Sequence, residues 1–97
     1  EMFKDLSIEE IEIPDSVTTI KKSAFSGCNK LTSIVIPDTV TSIQSGDYYA
    51  SDKPFYGCSS LKKVVLKGSD SEMLEKIKHK LIKLDETFKG LIVVRYI

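Results

Sequence analysis

Apolar residues recur along this chain in short clusters, two apart within each cluster and separated by turn residues. Ile11 and Ile13, Ile34 and Ile36, and Val64 and Leu66 each have this spacing. On a strand it turns both side chains to one face, and the residue between them to the other. The clusters sit in a longer repeat. Ile11-Glu12-Ile13-Pro14-Asp15-Ser16-Val17-Thr18-Thr19-Ile20 aligns without gaps on Ile34-Val35-Ile36-Pro37-Asp38-Thr39-Val40-Thr41-Ser42-Ile43. Each stretch is followed by a similar ending, Phe25-Ser26-Gly27-Cys28-Asn29-Lys30-Leu31 in one case and Phe55-Tyr56-Gly57-Cys58-Ser59-Ser60-Leu61 in the other.

The period is 23 residues from Ile8 to Leu31 and 30 from Leu31 to Leu61. The excess of seven lies between Ile43 and Phe55, in an insertion centred on Ser45–Asp52. Within a unit, the strand is expected to end at Pro37-Asp38, because proline donates nothing to a ladder and aspartate favours a turn. Val40 and Ile43, among threonine and serine, predict a second short β segment. Ser23–Cys28 is too short for a regular helix and fits one helical turn that inserts Phe25 and Cys28. No unit buries its apolar row alone, so stacked neighbours must close the core.

The third unit opens as the others do, with Leu61–Leu66, and then changes. Lys67-Gly68 stands where proline would be. Ser69 followed by Glu72 predicts a capping box. Leu74, Ile77, Leu81 and Leu84 then recur at three and four residues, as on an amphipathic helix. Gly90 is expected to stop this segment, and Leu91–Ile97 reads as a strand. Since Leu61 to Leu91 is again 30 residues, the last strand is expected to extend a parallel sheet, with the helix as crossover.

Composition narrows the function classes. Fourteen basic and fourteen acidic residues give no net charge, so nothing draws the chain towards nucleic acid or anionic membrane over distance. No apolar run approaches the roughly 20 residues of a membrane span. The first residues, Glu1–Asp5, lack the basic and apolar regions of a signal peptide, so the chain reads as cytosolic or as starting after a removed segment. There is no phosphate loop, metal-ligand spacing or nucleophile elbow. The expectation is a non-enzymatic protein with no cofactor and no metal.

The segments I-P-D-S-V-T-T-I, A-F-S-G-C-x-x-L and I-P-D-T-V-T-S-I, over about residues 6 to 66, resemble BspA-like leucine-rich repeats. The resemblance implies an α/β repeat fold: a leucine-rich-repeat solenoid with a parallel β-sheet and a short β/turn convex side. The C-terminal helix–strand cap, read from the residues themselves, departs from the family pattern, as do the few repeats and the insertion. The whole of residues 1–97 is then one domain. It comprises repeats of about 8–30 and 31–60, an incomplete repeat 61–66, and the cap at 67–97. The resemblance also implies a surface or secreted location, and adhesion to host extracellular protein. It brings no catalytic residues.

Two surfaces are candidates for binding. The first is the sheet face opposite the core, read as two columns: Glu10, Ser33, Lys63 and Val93, and beside them Glu12, Val35, Val65 and Arg95. This face is expected to run from acidic to basic with exposed valines between, or to be no more than a solvated face with cross-strand charge pairs. The second is the insertion, where Tyr48 and Tyr49, with Tyr56 nearby, would offer amphipathic rings to a partner. Those rings could equally fold back on the core. Cys28 and Cys58 are expected as small buried side chains stacked in a column. Lys76, Lys78, His79, Lys80 and Lys83 read as a solvated helix face. The N-terminal strand, Ile8–Ile13, is an edge through which the chain could self-associate. The rival to a binding module is a spacer or terminal cap of a longer array, without a ligand of its own.

Overall fold

The computed structural model describes residues 7–44 and 53–96. The seven-residue excess, with Tyr48 and Tyr49, lies outside them. Four parallel strands form one sheet: β1 (Glu10–Glu12), β3 (Ser33–Pro37), β5 (Lys63–Gly68) and β6 (Ile92–Tyr96), in the spatial order β1-β3-β5-β6. The short segments predicted after each turn are β2 (Thr19–Ile20) and β4 (Ser42–Ile43), paired in parallel as a second sheet. The helix α1 spans Ser71–Leu84 and crosses from β5 to β6. An α/β repeat built on a parallel sheet is therefore what these residues form.

The repeat is visible in the hydrogen bonds that run from one unit to the next. The Thr32 amide donates to Glu9 O at 2.7 Å and Lys62 N to Thr32 O at 2.9 Å; Thr41 N donates to Thr18 O and Gln44 N to Ile20 O, both at 2.8 Å. Threonine hydroxyls add to this, with Thr32 Oγ1 donating to Glu9 O and Thr39 Oγ1 to Val17 O. In the turns, Phe25 N donates to Pro54 O and Gly27 N to Tyr56 O. Gly27 and Gly57 both have φ near +80°, and a Cβ on Gly57 would lie 3.3 Å from Gly27 N. Glycine allows the backbone both the left-handed turn and the close stacking.

The core lies between the two sheets and α1. Ile34, Ile36, Val64 and Leu66 from the large sheet, Ile20 and Ile43 from the small one, and Leu74, Ile77 and Leu81 from the helix are all buried in it. Leu84 is only partly buried. Phe25 stacks on Phe55 with ring centroids 5.2 Å apart, and Phe88 meets Phe55 edge-on at 5.4 Å. The third ring follows a motif present in the sequence. Phe88-Lys89-Gly90 repeats the Phe-x-Gly of residues 25–27 and 55–57, with the stretch before the next strand shortened.

The third unit departs from expectation at three points. The helix is capped by Asp70, which accepts from Met73 N, not by a Ser69/Glu72 box. Ser69 N is taken instead by Asp38, whose Oδ2 accepts from both Ser69 N and Asp70 N at 3.0 Å. The helix ends at Leu84 rather than Gly90. Asp85 takes Thr87 N and Oγ1 and opens a 3-10 turn, Glu86–Gly90, that inserts Phe88. Finally, β6 pairs two residues further along than the 30-residue interval predicts, Val64 opposite Ile92 and Val65 opposite Val93. The Leu91 amide closes on Phe88 O only three residues after the ring, where Leu61 follows Phe55 by six, so β6 joins the sheet at an offset of 28 residues from β5 and not 30.

Candidate binding face

Strand register places the predicted residues in three rows on the face away from the core. Glu10, Ser33 and Lys63 form the first, and Glu12, Val35, Val65 and Val93 the second. Pro37, Lys67 and Arg95 form the third. Val93 and Arg95 thus each sit one row away from their predicted columns. They keep the predicted face, because a shift of two preserves the alternation of a strand.

The polarity of this face follows the order of the strands. β1 contributes two exposed glutamates, β3 a serine and a valine, β5 two lysines, and β6 the exposed Arg95. Lys67 Nζ reaches back across β3 to Glu12 Oε2 at 3.2 Å. Both groups are substantially exposed, so the pair contributes under about 1 kcal/mol, but it sets the orientation of two long side chains over the middle of the face. Lys67 belongs to the surface although it escaped the prediction; it has the same parity as Lys63 and Val65.

The valines differ from one another. Val93 is 47% exposed, Val35 is half-buried, and Val65 is only 2% exposed. Val65 therefore cannot serve as an exposed contact, contrary to expectation. It lies on a central strand between Val35 and Val93, with Lys63 and Lys67 two residues before and after it. It is buried apart from the main core cluster. The accessible apolar part of the row is at its β6 end.

A BspA type leucine rich repeat region matches residues 1–78 of the chain. The chain belongs to that family. No curated protein and no solved structure matches it.

The BspA-type repeat also accounts for the other candidates. Its Phe-x-Gly-Cys turn places Cys28 in the core and leaves Cys58 half-buried, and the two are not joined in a disulfide. The Cys58 thiol donates to Phe25 O at 3.1 Å. Burial pushes its pKa up to about 11, with Cys28 beside it adding to the rise. At neutral pH it is a protonated thiol, a poor nucleophile and a poor metal ligand. Among the described residues no group of His, Cys, Asp and Glu is placed to hold a metal ion, and no helix is long and apolar enough to cross a membrane.

Beside the repeat turn lies an open groove of about 560 Å³, lined by Phe55, Tyr56, Cys58, Leu61, Leu84, Phe88 and Leu91 among others. Tyr56 stands at it half-exposed. On α1, Lys76, His79, Lys80 and Lys83 are exposed, and Lys78, four residues after Leu74 and three before Leu81, is half-buried at the flank of the buried stripe.

Proposed function

We propose that this domain is a non-enzymatic protein-binding module that uses the sheet face opposite its core, with Val93 as the apolar anchor. The observation that carries the reading is the exposed valine at the β6 edge of a face that runs from Glu10 and Glu12 on β1 to Lys63 on β5 and to Arg95 on β6 itself. A partner there would find apolar contact at one end of a face carrying charges of both signs, a pattern that favours specific docking. Membership of a repeat family whose members present extended sheet faces supports it. In the same reading the units stack as a short solenoid, and α1 with its 3-10 turn caps the core. The site is a cell surface or the extracellular space, where the domain adheres to a host protein. Tyr48 and Tyr49 of the insertion would widen the contact.

The rival reading, a spacer or cap without a ligand, is favoured by one observation: α1 lays Leu74, Ile77 and Leu81 over the core, as a terminal element must. The two are separated by pull-down from extracellular-matrix and cell-surface extract. Wild type is compared with Val93→Arg, Val35→Arg and a Tyr48→Ala/Tyr49→Ala variant, each confirmed folded by circular dichroism. A protein retained by wild type and lost with Val93→Arg supports the binding face. Loss with the tyrosine variant alone would move the site to the insertion. Equal recovery throughout would favour the spacer.

A further inference from the structure

The two edges of the large sheet differ in chemistry, and they match. Among the described residues, β1 is the edge at one side and β6 the edge at the other. Sheet edges are normally blunted by charge, proline, bulges or shortness. β6 carries little of this: Ile92-Val93-Val94-Arg95-Tyr96 is five residues long, holds one charge, and leaves Tyr96 61% exposed. Its core-side residues Ile92 and Val94 are only partly buried, whereas Val64 and Leu66 beside them are fully covered. At the opposite edge Ile11 is likewise only partly buried and Ile8 is exposed. Each edge thus leaves apolar core-side surface open to water.

We infer that β6 pairs in parallel with β1 of a second copy of this chain, head to tail. The hydrogen-bonding pattern defines the register. Val64 N donates to Leu91 O, so in a parallel ladder residues 91, 93 and 95 face β5. The N–H and C=O groups of Ile92, Val94 and Tyr96 face outward. On β1, Glu9 O and Ile13 N bond to β3, which leaves the backbone groups of Glu10 and Glu12 facing outward. Placing the incoming Ile11 opposite Ile92 lets Ile92 bond to both Glu10 and Glu12. The same placement continues the core row Ile11–Ile34–Val64 through Ile92 into the second copy. It also sets the incoming Glu12 opposite Val93 and diagonal to Arg95. Long side chains bridge such diagonals readily, and within the chain Lys67 already reaches Glu12 across two strand spacings. Backbone pairing, core-side burial and charge agree on one register.

Such a junction is heterologous and leaves the same two edges free at the ends, so association is open and does not stop at a dimer. This inference does not rest on the proposed binding face. Sedimentation velocity of the whole chain over a wide concentration range tests it. The average mass is expected to keep rising with concentration. Arg95→Glu and Glu12→Arg, each checked for native circular dichroism, are each expected to weaken association by about tenfold, since each sets like charges across the junction. Mixing the two variants is expected to restore growth, because every mixed junction then pairs opposite charges. Val94→Pro, which removes an outward-facing donor without touching the β5 ladder, is expected to abolish it. A concentration-independent monomer would overturn the inference. So would a plateau at dimer, which means an isologous contact, or association indifferent to both charge reversals.

Discussion

Asp38 and Gly68 form a junction whose strength follows from its geometry. A Cβ built on Gly68 would fall on the side chain of Asp38, whose carboxyl carbon, Oδ2 and Cβ are the three nearest atoms. That space allows Oδ2 to accept from Ser69 N and Asp70 N, both at 3.0 Å. Asp70 then caps α1. Asp38→Gly removes both bonds, worth about 1 kcal/mol each when partly exposed. It also adds about 0.5–1 kcal/mol of backbone entropy, for a loss of about 3 kcal/mol. Gly68→Ala leaves the acid in place but displaces it, and is expected to lose about 2 kcal/mol through the same two bonds. No positive φ at Gly68 sets alanine at a disadvantage there. The double variant should therefore be no less stable than Asp38→Gly alone, with a coupling energy of about 2 kcal/mol. Urea unfolding followed by far-ultraviolet circular dichroism measures all four corners of the cycle. Additive losses would refute the reasoning, since they would mean that Gly68 and Asp38 act separately.

Three further outcomes are expected. Phe55→Ala should cost about 3 kcal/mol, because it removes the ring between Phe25 and Phe88 and leaves a cavity; a loss under about 1 kcal/mol in urea would show that the three rings are not a structural column. Cys58 in the folded protein should alkylate roughly 100-fold more slowly near pH 8 than after unfolding, since a pKa raised from 9.0 to about 11 lowers its thiolate fraction by that factor. The sign is fixed by the raised value: the stability this group contributes is full below pH 9.0 and is lost as pH rises through about 11; equal alkylation rates in the two states would contradict the burial of the thiol. Val65→Arg should unfold the domain or lower its stability by several kcal/mol, on the order of 3, whereas Val93→Arg on the same row should change it by under about 0.5 kcal/mol; comparable melting temperatures for the two would mean that Val65 is not enclosed.

Much of this protein was written in its sequence. The repeated I-P-D-x-V-T-x-I and Phe-x-Gly-Cys segments fix strands, short β segments and turns, because spacing of two, a proline stop and a glycine at positive φ are local constraints that each residue imposes on its own backbone. Face was equally legible, and Val93 and Arg95 kept theirs even where their row was misassigned. What required the tertiary structure was everything settled between distant residues. Asp38 takes the Ser69 amide from 31 residues away and leaves the capping of α1 to Asp70. The short turn from Phe88 to Leu91 brings β6 into the sheet early and shifts its register. Val65 has the parity of a surface residue, yet its central strand and its neighbours enclose it. Periodicity states which side a residue faces, whereas its burial depends on what the rest of the chain places on that side.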